Sequence, residues 1–360
     1  MYTIEQIKTI HLEITQKCQA ACPMCDRNQN GGALNPHIKL DELTLQDCKR
    51  IFTPEFVSQL KKMYMCGNLG DPVIATDTLE VFDYFRQHNP NIWLNMHTNG
   101  GAKKPEWWRE LAKVIGNNGD VTFSVDGLKD TNHLYRQNVN WDIVDQSMRA
   151  YIEGGGKVRW DYLIFEHNQH QVEEARQYAE SIGVHKFQAK KTGRFITTTS
   201  EAKQSHQAVN RKGKDTQELK KPDKKYQNKA LTKQGALLQK YGSMDNYYDK
   251  VPVWCKVKDE GSLYISAEGL ALPCCWTAGR MYKWWHKDPK VEQIWNHIDD
   301  VGGKQMLDAK NGLDKVFNTG IFDSIEKSWN IDGCSNGKLK VMWWWDNNTM
   351  QDSAILDGNL

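Results

Sequence analysis

The chain has no run of about eighteen apolar residues, the length that a bilayer crossing needs. Its opening residues, Met1 to Lys8, show neither a basic start nor an apolar stretch, which predicts no secretory signal and a cytoplasmic location. A strong charge of either sign is also missing. Lys and Arg total 47 against 45 Asp and Glu, a net +2, so no global field draws the chain to nucleic acid or a membrane. There is no internal repeat, and no even set of cysteines for a disulfide framework. The total is nine, and in a reducing compartment grouped cysteines point to metal. What is present is otherwise ordinary. With 39% hydrophobic residues, 360 positions suffice for one large domain and a smaller one.

Short β-branched runs and longer helical patterns alternate through the first 190 or so residues. Strands are predicted at Thr9–Thr15, Leu60–Cys66, Ile92–His97, Val121–Val125, Val158–Phe165 and Lys186–Ala189. Helices are predicted at Leu43–Phe52, Thr78–Gln87, Pro105–Ile115, Trp141–Glu153 and Gln169–Ile182. Pro105 suits a first helical turn, while Gly116, Gly154 and Gly183 suit helix ends. Such alternation implies α/β architecture on a parallel sheet with right-handed crossovers, and chemistry at the C-terminal ends of the strands. From Lys203 to Lys240 the pattern stops, with eleven Lys or Arg against three acids. That segment is expected to be a solvated or mobile insertion, a docking surface for an acidic partner, or a lid. Beyond it, nine of the fourteen tryptophans fall between Trp254 and Trp345, as core packing, cluster shielding or a substrate channel.

Three cysteines, Cys18, Cys22 and Cys25, follow the first predicted strand within eight residues. Thiolates this close repel one another unless a cation or cluster binds them. A zinc site would want a fourth ligand, for which Asp26 and His37 are candidates at no recognised zinc spacing. A four-iron cluster held by three thiolates instead leaves one iron open for an exchangeable ligand.

This C-x3-C-x2-C resembles the signature of the radical S-adenosylmethionine (radical SAM) superfamily, with Met24 in place of the usual aromatic residue, near the adenine. Cys66-Gly-Asn-Leu-Gly-Asp-Pro72 resembles the family's G-x-x-G-E-P loop, which implies SAM contacts at Gly67, Asn68, Gly70 and Asp71. His97-Thr-Asn-Gly100 resembles the T-N-G segment, placing Asn99 near the ribose. Ser124-Val-Asp-Gly127 with Tyr135-Arg136 resembles the S-x-D-G…Y-R pattern of the subgroup with extra clusters. The resemblance implies that Ser124 hydrogen-bonds SAM, that Arg136 pairs with its carboxylate, and that Asp126 faces SAM or substrate in a catalytic place.

A second set follows. Cys255 precedes, and Cys274-Cys275 closes, a β-hairpin that turns at Glu268-Gly269. This resembles the opening of the SPASM and Twitch auxiliary-cluster domains, and Val291-Glu-Gln-Ile-Trp-Asn296 resembles the segment after it. Two auxiliary clusters would take about seven cysteines, so the four here imply one, read as [4Fe–4S], with Cys255, Cys274 and Cys334 as preferred ligands. Cys275 is either the fourth ligand or a free thiol able to donate a hydrogen atom. Adjacent cysteines on a strand point to opposite sides, so both reach one cluster only across a turn.

The resemblance therefore implies a partial (β/α)6 TIM-like barrel over 1–196, a basic insertion over 197–250 and a small α+β auxiliary-cluster domain over 251–360. It implies a [4Fe–4S] cluster with an open site, SAM, and one electron from a donor such as flavodoxin or ferredoxin. Homolytic cleavage of SAM then gives a 5′-deoxyadenosyl radical that takes hydrogen from a substrate. The substrate expected first is a peptide or protein side chain, oxidised or cross-linked. The alternatives are a small polar molecule such as a sugar, and a non-catalytic iron–sulfur electron-transfer or binding protein. RNA modification would rest on the basic segment alone, with no recognisable RNA-binding module.

Overall fold

In the computed structural model, residues 1–196, 203–243, 246–247, 250, 255–283 and 287–330 are described. Six parallel strands form the first part in chain order: β1 (Thr9–Leu12), β2 (Lys62–Met65), β3 (Trp93–Thr98), β4 (Gly119–Ser124), β5 (Val158–Ile164) and β6 (Lys186–Lys191). They correspond to the six strands expected from the sequence. A second pair, β7 (Ser205–Val209) and β8 (Asp215–Lys220), makes a separate antiparallel hairpin within the basic insertion. The expected C-terminal hairpin is present as β9 (Ser262–Ile265) and β10 (Ala271–Leu272). It does not stand apart. β9 runs parallel to β1, with Thr9 opposite Ser262 and Leu12 opposite Ile265, so one eight-stranded sheet holds β10-β9-β1-β2-β3-β4-β5-β6.

Strand register sorts the side chains by chemistry. On one face lie Ile10, Leu12, Met63, Met65, Leu94, Met96, Val121, Phe123, Val158 and Trp160, all buried. Helices cover this face. In the helix Pro105–Ile115 the buried positions Trp108, Leu111, Ala112 and Ile115 recur at one-turn spacing, and the Trp108 ring lies 5.1 Å from that of Phe123. Proline opens that helix and Gly116, at φ +61°, ends it.

The opposite face is polar. His11 is in register with Tyr64 and Tyr264, Tyr64 with Asn95, Asn95 with Asp120, and Thr122 with Arg159. Parallel strands usually read apolar on both faces because both are covered. Here the alternation means that one face is the core and the other borders a cavity. That cavity, about 730 Å3, is lined by His11, Tyr64, His97 and Tyr264 together with Cys255, Cys274 and Cys275. Among the described residues no helix is long and apolar enough to cross a membrane.

Candidate active site

The loop that leaves β1 carries the first three cysteines through two successive turns. Cys25 N–H donates to Cys22 O, and Asn28 N–H to Cys25 O, both at 3.1 Å. Each thiol faces a residue from a different strand end. Asn99, after β3, donates its amide to Cys18 Sγ at 3.6 Å. Arg136, beyond β4, reaches Cys22 Sγ with Nη1 at 3.9 Å. Cys25 Sγ points at the carbonyl of Asn68, after β2, at 3.9 Å. Strand ends far apart in sequence thus meet at one point.

Burial raises the pKa of all three thiols. Cys25 is pushed up to about 11, first by burial and then by the neighbouring Cys22, while Arg136 works against the rise at Cys22. Thiols so desolvated become thiolates only where a cationic centre takes up their charge. This donor set fits an iron–sulfur cluster. For zinc, the candidate ligand Asp26 is already engaged by Lys283 at 2.9 Å. Among the described residues no three His, Cys, Asp or Glu side chains gather as a single metal ion requires.

The glycine loop after β2 owes its path to missing side chains. A Cβ on Gly70 would stand 1.8 Å from Thr15 O, and one on Gly67 would stand 2.2 Å from Gly70 O. Asp71 turns inward. Its carboxylate accepts from Thr98 Oγ1 at 2.7 Å, Asn99 N–H at 2.7 Å and the Asn99 amide at 2.6 Å, joining the second and third motifs. Asn68 faces the other way, and its amide donates to Cys275 O at 2.6 Å.

Ser124 is half-buried at the end of β4, in register with Asp161. Asp126 is fully buried and holds Arg136: Oδ2 lies 2.6 Å from Arg136 Nε, and Oδ1 accepts from Leu163 N–H at 2.7 Å. Burial opposes the charge on Arg136, but Asp126, Cys22 and Tyr135 together outweigh it and raise the pKa of the guanidinium. Asp126 thus stands behind Arg136. Met24 is half-buried in the cysteine loop, where its carbonyl accepts from Arg194 Nη1 at 2.7 Å.

The second set assembles from two places. Cys255 precedes a short helix, Lys256–Asp259, and Cys274 caps the helix Cys275–Arg280. The chain therefore turns between the adjacent cysteines, and both line the cavity with Cys255. None of the eight described cysteines is in a disulfide. Cys334 lies outside the described residues.

Sequence reasoning missed Glu13. It is buried; Oε1 accepts from the N–H groups of Leu69 and Gly70, at 2.6 and 3.2 Å, and Oε2 accepts from the Tyr264 hydroxyl. Burial pushes its carboxyl up to about 7. The available signal was a carboxylate inside the run His11-Leu-Glu-Ile-Thr15, where a strand should be apolar or neutral.

Among curated proteins compared by sequence, none matches the chain. Streptococcus suis SuiB bound to precursor peptide SuiA superposes with a TM-score of 0.51 at 15% identity, covering 76% of this chain and 60% of that one. The chain thus spans less than two thirds of that neighbour. SuiB bound to S-adenosylmethionine gives 0.53 at 13% identity over 93% and 72%. anSMEcpe with bound AdoMet gives 0.54 at 12% over 93% and 87%. These likenesses establish the fold, a mostly parallel α/β sheet of the partial-barrel kind. Residues 12–179, just under half of the chain, match the family described as the Radical SAM superfamily.

Proposed function

We propose that the protein is a radical SAM enzyme acting on a peptide or protein side chain, with one auxiliary cluster. The observation that carries this reading is the convergence of Asn68, Asn99 and Arg136 on the three thiols of the cysteine loop. Cys18, Cys22 and Cys25 would hold the [4Fe–4S] cluster, and Cys255, Cys274 and Cys334 would supply auxiliary ligands, with Cys275 as the fourth or as a free thiol able to donate a hydrogen atom. When bound, the cluster and SAM supply reductive cleavage to a 5′-deoxyadenosyl radical that abstracts hydrogen. Arg136, kept cationic by Asp126, offers its remaining N–H groups to the carboxylate of SAM. Gly67 and Gly70 keep the backbone open to its ammonium, with Met24, Asn68, Asn99 and Ser124 around the rest. Asp71 positions Asn99. A donor such as flavodoxin or ferredoxin provides the electron.

The peptide substrate is supported by the neighbour SuiB, solved with its precursor peptide SuiA. A small polar substrate is the second reading. It is favoured by the polar face of the sheet, where Arg159 Nε and Asp161 Oδ1 are buried without a hydrogen-bond partner. The non-catalytic reading leaves the Asp126–Arg136 pair beside Cys22 without a use.

The test is anaerobic reconstitution with SAM and dithionite, assaying 5′-deoxyadenosine. No 5′-deoxyadenosine above a Cys18/Cys22/Cys25→Ala control overturns the enzymatic reading. Iron counting in that variant tests the auxiliary site, with about four irons expected to remain per chain.

A further inference from the structure

The basic segment is largely exposed, yet part of it packs against the body of the protein. Its hairpin, β7–β8, lies beyond residues 12–179 of the family match and is built against the cysteine loop. Val209 N–H donates to Asn30 O at 2.9 Å. His206 Nε2 lies 3.1 Å from Pro23 O, and since a carbonyl only accepts, this nitrogen carries the proton. Arg211 Nη2 donates to Gln19 O at 3.0 Å, and Arg194, just ahead of the segment, to Met24 O. The carbonyls of Gln19, Pro23, Met24 and Asn30 thus receive donors from residues 194–211. That stretch of the loop lies in no helix or strand, so its carbonyls depend on partners from elsewhere.

Backbone fit points the same way. Gly31 has φ +92°, and a Cβ there would stand 2.8 Å from Val209 O. The far strand of the hairpin is tied to the chain around Arg136. The Gln217 amide donates to Leu134 O, and the Gln137 amide donates to Thr216 Oγ1 at 3.5 Å. One hairpin therefore joins the cysteine loop to the arginine segment.

We propose that the hairpin Ser205–Lys220 is a clamp that holds the cysteine loop in its cluster-receiving shape, with His206, Val209 and Arg211 as positioning residues. The inference rests on the reading of Cys18, Cys22 and Cys25 as cluster ligands. Its physical basis is order supplied in advance: a loop already fixed by outer donors loses less conformational freedom on taking up metal.

The test uses the full chain, metal-free and after anaerobic loading with ferrous iron and sulfide. A His206→Ala/Arg211→Ala variant is compared with a His206→Gln/Arg211→Lys variant, which keeps a donor at each position. Amide hydrogen exchange across residues 18–33 is expected to quicken about tenfold in the alanine variant, as two lost hydrogen bonds imply, with β2 and β3 unchanged. Iron loss to a chelator should quicken alongside, and the conservative variant should restore both. Unchanged exchange and iron loss in the alanine variant would overturn the clamp. So would equal loss of protection in β2 and β3, which would make the hairpin a support of the whole sheet. Wild-type chain that takes up no iron in the first loop would instead sink the cluster reading, and the exchange data would still decide on the clamp.

Discussion

The two cysteine regions are built on opposite plans. The first is local: three thiols within eight residues of one loop, each faced by a side chain or carbonyl from a different strand end. The second is made at a distance. Cys255 and Cys274 come to one cavity only because the intervening hairpin adds to β1 in register. Spacing alone serves a site formed by one loop. A site formed by a hairpin depends on strand pairing, which spacing does not encode. The regions also touch, through Asn68 to Cys275 O and through Glu13 to Tyr264.

Substitutions can break or sharpen that contrast. The largest effect is expected at Asp126→Asn, which leaves Arg136 beside Cys22 without its buried counter-charge. Breaking such a pair costs about 3–5 kcal/mol, read as a lower urea midpoint. SAM binding by equilibrium dialysis should weaken, while iron at the second set is unchanged. Loss of iron from both cysteine sets together would mean that the two regions form one unit.

Next comes Glu13. Its folded pKa of about 7 lies above the ordinary 4.5, so the folded state keeps a proton that the unfolded chain releases. Stability is therefore expected to fall between pH 4.5 and 7, by about 3 kcal/mol from this group, and to level off above. Glu13→Gln should flatten that slope in urea titrations run across the range; an unaltered slope would show that another group causes it. The smallest effect belongs to Asn68→Ala, which removes one hydrogen bond between the regions, about 1 kcal/mol. If the second set helps shape the glycine loop, amide exchange at Leu69 and Gly70 in the SAM-free chain quickens about fivefold, in line with that energy. If the regions are independent, that exchange is unchanged.

Strand and helix order through residue 191 was legible because short β-branched, apolar runs alternate with longer helical patterns punctuated by proline and glycine. Helix Pro105–Ile115 occupies the stretch expected of it. The hairpin β7–β8 was not legible. Ser-His-Gln-Ala-Val and Asp-Thr-Gln-Glu-Leu-Lys are polar, and much of their stability comes from each other and from the cysteine loop. The docking of β9 beside β1 was hidden for a similar reason, since pairing partners separated by some 250 residues leave no local trace. At the site, the motif residues were readable as a set, but not their mutual bonds. Asp126 pairs with Arg136, and Asp71 binds Asn99, because each carboxylate is buried where a protein donor is the nearest neighbour.

The two-faced sheet has a consequence for how such a protein can change. Its cohesion is vested in Met63, Leu94, Val121, Trp160 and their neighbours under the helices, whereas His11, Tyr64, His97, Arg159 and Lys190 lie on the other side. Because side chains alternate along a strand, replacing Tyr64 leaves the packing of Met63 and Met65 in place. Evolution, or a designer, can therefore rewrite what the cavity accepts one alternate residue at a time without reopening the question of whether the chain folds.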